Sequence, residues 1–178
     1  MEKIYCAFLR GVNVNGTNMK MADVVSAFET AGMSKVCAVL ASGNIIFTSD
    51  KNEEELRSIL EEAMSKRFVY NAFLFIKSQS ELKNMIAYNT FSDHEDFHTY
   101  IFITENGFEE TLLDEFNKCE KTSGEEAQIQ QSFFYWKIKK GFTVSGDFSK
   151  ILGKKQFKDK LTSRNINTLH KIIKKMIQ

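Results

Sequence analysis

The chain has 178 residues, 43% of them hydrophobic and 26% charged, with a formal net charge of +1 and no proline. That composition excludes intrinsic disorder and collagen-like repetition, and the length suits one large domain or two small ones. No apolar run approaches the roughly 20 residues of a membrane helix, and the apolar start at residues 4–9 is too short for a secretory signal.

The three cysteines, Cys6, Cys37 and Cys119, are odd in number, far apart and form no CxxC pair. Two lie inside apolar runs, where a thiol acts as a small hydrophobe. The expectation is a reduced, cytoplasmic protein without disulfides. The small net charge hides an asymmetry. Residues 137–178 carry 12 Lys and Arg against only Asp147 and Asp159, while the rest carries 12 basic and 21 acidic residues. Either a basic tail packs on an acidic body, or it offers a surface to anions.

In chain order, residues 4–9 are apolar on both faces and read as a central strand. A polar loop, residues 10–18, precedes Met21, Val24, Val25 and Phe28 at helical spacing, with Gly32 as the stop. Two strands, residues 35–40 and 45–48, are joined by Ser42-Gly43-Asn44, a tight-turn signal. Asn52 and Glu55 form a capping box ahead of the stripe Leu56, Ile59, Leu60, Ala63 and Met64. A strand over residues 69–76 completes β-α-β-β-α-β, the split-βαβ or ferredoxin-like order. Ser78 and Glu81 are a second capping box, opening a connector helix over residues 81–88.

The pattern then repeats without sequence repetition. A strand covers residues 97–103, a helix is marked by Phe108, Leu112, Leu113 and Phe116, and a hairpin pairs residues 127–130 with 133–139. The tail from residue 149 reads as helical and lysine-rich. The fold class expected is therefore α+β, with two split-βαβ halves packed together and a basic helical C-terminal tail. Residues 1–77 form the first subdomain, 78–96 a helical connector, and 97–178 the second subdomain with its helices.

Split-βαβ topology places the exit of the first strand beside the hairpin between the second and third. That edge collects Arg10, Asn13, Asn15, Asn18, Ser42 and Asn44 with several glycines, groups that suit an anion nest or simply close the turns. Arg164 and Asn165, expected at the start of the last helix with Ser163 as its N-cap, add a cation where a helix end attracts anions.

The segment 9–16, Leu-Arg-Gly-Val-Asn-Val-Asn-Gly, resembles the opening of a bacterial family known as domain of unknown function 1697. The likeness continues at Met21, at Ser42-Gly43-Asn44 with Ile45-Ile46-Phe47, and at residues 162–168. The resemblance implies a two-part α+β fold and a bacterial cytosolic protein, and carries no activity with it.

Other motifs fail on their chemistry. Gly11 and Gly16 have phosphate-loop spacing, but Thr17 stands where the lysine belongs. No GxGxxG follows a strand. His94-Glu95-Asp96-Phe97-His98 matches HExxH, yet His98 opens a strand-forming run, which sets the histidines roughly 13 Å apart and expects no metal. Residues 4–9 loosely match an RNA-recognition strand, but residues 44–48 lack the partner motif. No cofactor is expected. The leading reading is recognition of a phosphate-bearing small molecule or nucleic acid. The alternatives are a small acylphosphatase-like enzyme, by analogy of topology with Arg10 on phosphate and Asn44 orienting water, or a non-catalytic interaction module.

Overall fold

The computed structural model describes residues 2–10, 19–157 and 159–178. The chain divides into two compact units, Met1–Lys83 with His170–Gln178, and Asn84–Leu169.

The first unit holds β1 (Lys3–Leu9), α1 (Met21–Thr30), β2 (Ser34–Val39), β3 (Asn44–Ser49), α2 (Glu53–Phe68) and β4 (Leu74–Ser78). Its sheet has the order β2-β3-β1-β4, antiparallel throughout, which is the expected ferredoxin-like arrangement. Strands β1 and β3 occupy the middle, and every residue of β3 is buried, as their apolar runs require. On one sheet face Tyr5, Ala7, Ile45 and Phe47 pack with Val24 and Phe28 of α1 and Leu56, Leu60 and Met64 of α2. Met21, Val24 and Phe28 of one stripe read from the sequence, and Leu56, Ile59, Leu60 and Met64 of the other, face this core, while Val25 and Ala63 are half-buried.

The capping box of α2 is formed: the Glu55 amide donates to Asn52 Oδ1 at 3.0 Å, and the Asn52 amide to Glu55 Oε2 at 3.1 Å. The helix runs on to Phe68 and stops at Val69, which adopts φ 50° and ψ 48°. The strand expected over residues 69–76 is consequently displaced to Leu74–Ser78. A left-handed residue cannot continue a strand, so the β-branched Val69 ends a helix instead of starting a sheet element.

α3 (Gln79–Ala87) leads to β5 (Phe97–Thr104), α4 (Phe108–Lys118), β6 (Glu126–Gln130), β7 (Phe133–Lys139), α5 (Asp147–Leu152), β8 (Leu161–Asn165) and α6 (Ile166–Met176). The second sheet has the order β6-β7-β5-β8, the same topology as the first. Its core gathers Phe102, Leu112, Phe116, Phe134, Trp136 and Phe148. The Ser78 capping box is present at α3, with the Glu81 amide donating to Ser78 Oγ at 3.3 Å and the Ser78 amide to Glu81 Oε2 at 2.9 Å.

The tail is not wholly helical, contrary to the sequence reading. β8 pairs along β5 from Tyr100↔Asn165 to Thr104↔Leu161 and completes the second β-α-β-β-α-β set. Thr162, Ser163 and Asn165 are weak helix formers, and β5 has an edge that a fourth strand covers.

Candidate functional site

At the end of β1 the chain lies beside the Ser42–Asn44 turn. The Leu9 amide donates to the Gly43 carbonyl at 2.8 Å and the Arg10 amide to the Phe73 carbonyl at 3.2 Å. Arg10 therefore leaves the sheet between the Ser42–Asn44 turn and the start of β4. Gly43 has φ 72°, a conformation open to glycine at little cost. Asn44 is fully buried, and its Nδ2 donates to the Val39 carbonyl at 3.0 Å and to Ser42 Oγ at 2.9 Å. Both amide hydrogens thus hold the turn closed. Asn13, Asn15 and Asn18 lie outside the described residues.

Arg164 and Asn165 belong to the other unit. Arg164 sits within β8 opposite Ile101, not in the first turn of a helix. Its Nη1 donates to Thr162 Oγ1 at 2.8 Å and to the Ser163 carbonyl at 2.9 Å. Ser163 is a strand residue, so the expected cap moves two positions on. Asn165 Oδ1 accepts the Asn167 amide at 2.9 Å and caps α6.

That bond also determines how Asn165 faces its neighbour. With Oδ1 engaged by the helix, Nδ2 is the atom 3.1 Å from His98 Nδ1 and donates to it. His94 Nδ1 similarly accepts the Asp96 amide at 3.1 Å. In a neutral imidazole whose Nδ1 is an acceptor, the hydrogen lies on Nε2. Neither ring then offers a bare nitrogen to a cation, and the HExxH residues lie in a loop and a strand. Among the described residues, no group of three or more His, Cys, Asp and Glu is placed to hold a metal ion.

The HExxH segment instead lines a polar cleft of about 370 Å³ together with Lys140 and Asn165. His98 and Lys140, which line this cleft, are not among the binding candidates read from the sequence. The only signal for His98 was a motif read as zinc chemistry, and Lys140 was one lysine among many.

The basic tail separates into paired and unpaired cations. Lys137 pairs with Glu126, Lys150 with Asp147 at 2.8 Å, and Lys160 with Glu105 at 2.7 Å. Lys171, Lys174 and Lys175 make no ion pair among the described residues and are exposed. On α6 the buried residues are Ile166, Leu169, Ile172 and Met176, at helical spacing. Asn167, His170 and the three lysines fill the opposite, exposed face. In the first unit, Gln79 Nε2 donates to the Met176 carbonyl at 3.3 Å, bringing the last turn of α6 to the start of α3. Lys83 is exposed one turn further along α3 on the Gln79 face.

The most perturbed acids lie elsewhere in the first unit. Lys77 Nζ stands 2.8 Å from Glu81 Oε1 and 3.6 Å from Glu53 Oε2. Burial, and then the hydrogen bond shared with Glu81, raise Glu53 to about 7 against the pull of Lys77. Burial also pushes Glu81 upward, but hydrogen bonds from Glu53, Lys77 and Ser78 outweigh it and bring Glu81 to about 2. Because Glu81 is the capping-box residue of α3, the cluster is explained by structure.

Among the described residues, no helix is long and apolar enough to cross a membrane. No protein of curated function matches the chain. A solved structure, that of the conserved bacterial protein SP0830 from Streptococcus pneumoniae, is similar over 100% of both chains, with a TM-score of 0.78 and 22% identity. At that identity the likeness establishes the shared fold. A family model described as a protein of unknown function, DUF1697, matches residues 1–135, and the chain, with its two ferredoxin-like sheets, belongs to that family.

Proposed function

We propose that this protein binds a phosphate-bearing ligand, and that the ligand is a nucleic acid held on the outer face of α6. The supporting observation is the exposed set His170, Lys171, Lys174 and Lys175, whose lysines have no acidic partner among the described residues. Charges three and four residues apart on a helix lie about 5–6 Å apart, a spacing that lets successive cations meet successive phosphates. The apolar stripe of α6 is buried in the fold. The helix thus has no apolar face for lipid, and its lysines act through charge alone. Burying no cation in a pocket, such a face favours sequence-independent contact with the backbone.

The acylphosphatase-like reading gains no support from the turn it would use, since the Asn44 Nδ2 hydrogens are engaged by Val39 and Ser42. The test is a filter-binding titration with duplex DNA and RNA across salt. Wild type is expected to bind with log affinity falling linearly in log salt, and replacing Lys171, Lys174 and Lys175 with Gln should reduce that slope by about 2–3. The variant should keep its fold, because none of the three is buried. Absence of binding at about 50 mM salt refutes the proposal. Arg10→Ala in the same titration asks whether the first-sheet edge takes part, and an unchanged slope removes it from the interface.

A further inference from the structure

The polar cleft of the second unit lies where the chain enters β5, leaves β7, and passes from β8 into α6. Register explains the convergence. Phe97 pairs with Lys139 on one side of β5, and Tyr100 pairs with Asn165 on the other. The Lys140 amide donates to the Asp96 carbonyl at 2.8 Å, which seats Lys140 beside the segment leading into β5.

That segment brings two carboxylates, Asp93 and Glu95, into the same lining as Lys140. None of the three makes an ion pair among the described residues, although they share a space of about 370 Å³. Opposite charges that line one cleft without meeting leave room for a molecule carrying the complementary pair. The two imidazoles add donors, because in the neutral ring an accepting Nδ1 leaves the hydrogen on Nε2.

This combination narrows the ligand. A simple anion would face Asp93 and Glu95, and a simple cation would face Lys140. A metal ion would need an imidazole nitrogen that is already accepting a hydrogen bond. The space falls in the range of sites for small organic molecules.

We propose that this cleft binds a small zwitterion of the amino-acid type. Its carboxylate meets Lys140 and the imidazole donors, and its ammonium meets Asp93 and Glu95. Asn165 is a positioning residue there: it caps α6 and holds His98 in the Nε2–H form. The proposal stands apart from nucleic-acid binding, whose basic residues His170, Lys171, Lys174 and Lys175 lie outside this lining.

The experiment follows the ring resonances of His94 and His98 by NMR in the full-length chain. The probes are L-amino acids of each side-chain class, with acetate and methylammonium as the two half-ligands. At least one amino acid should saturate a shift below about 10 mM, with each half-ligand at least about tenfold weaker. Lys140→Ala, and separately Asp93→Asn with Glu95→Gln, should each weaken binding about tenfold or more, as loss of a charged hydrogen bond does. All three positions are exposed, so the variants should retain the wild-type backbone spectrum. Replacing Lys171, Lys174 and Lys175 with Gln should leave the titration unchanged. Acetate or methylammonium binding as tightly as the best amino acid would overturn the proposal. So would indifference to Lys140→Ala, or silence of both histidines with every amino acid.

Discussion

Val69→Gly should stabilise the protein although it deletes a hydrophobic side chain. Val69 is 92% exposed, so the isopropyl group protects almost no apolar surface. Its backbone sits at φ 50°, ψ 48°, where α2 turns out of its last turn. A left-handed conformation costs an L-residue about 1–2 kcal/mol, from the crowding of Cβ against its own carbonyl. Glycine escapes that cost but loses more backbone entropy on folding, about 0.5–1 kcal/mol relative to alanine. The difference leaves a net gain of about 0.5–1 kcal/mol. For a chain of this size that corresponds to a rise of about 1–4 °C in Tm. Urea and thermal unfolding followed by far-ultraviolet circular dichroism would measure it. Val69→Ala is the control, since it removes the exposed methyl groups while keeping Cβ. If Gly destabilises, or if Ala gains as much as Gly, the strain argument fails.

Three further outcomes follow from the packing and the charges. Leu60→Ala, at a fully buried position of the first core, should cost about 2–5 kcal/mol in urea unfolding, and a loss below about 1 kcal/mol would remove Leu60 from that core. Gly124 has φ 77°, and a Cβ there would stand 2.6 Å from Phe97 Cζ, so Gly124→Ala should lose about 2 kcal/mol or more by strain and crowding together; a neutral result would show that the Phe97 ring yields freely. Glu53, raised to about 7 in the fold, contributes stability that is complete below its unfolded value of 4.5 and is lost as pH rises toward 7. Glu53→Gln should therefore flatten the fall in stability between those values and leave the variant up to about 1 kcal/mol more stable at alkaline pH, after allowance for solvent screening. Equal pH profiles for variant and wild type would count against a proton held on Glu53.

The neighbours of Asn165 and Arg164 in the fold differ from those their sequence positions suggest. Asn165 was singled out for its place near a helix start, and it does cap α6, yet its other amide group orients His98, a residue 67 positions away in sequence. No local pattern could join those two, because register between β5 and β8 does so. Arg164 was placed in a helix because lysines and isoleucines at helical spacing follow it closely. The strand ends only at Asn165, and a boundary between elements is where periodicity carries least information.

Local chemistry was sufficient for much of this protein. The capping boxes at Asn52 and Ser78, the stripe Leu56, Leu60 and Met64, and the doubly buried β1 and β3 each depend on residues close in sequence, so short-range pattern determined them. The split-βαβ order followed, because the number and spacing of elements leave few ways to cover a sheet. Tertiary structure alone decided that Leu161–Asn165 is a strand, since an open edge of β5 recruits it against weak local preference. It alone decided which cations of the tail find acids and which remain in solvent. Charge pairing depends on positions of atoms brought together by folding, and a sequence states only how many charges there are.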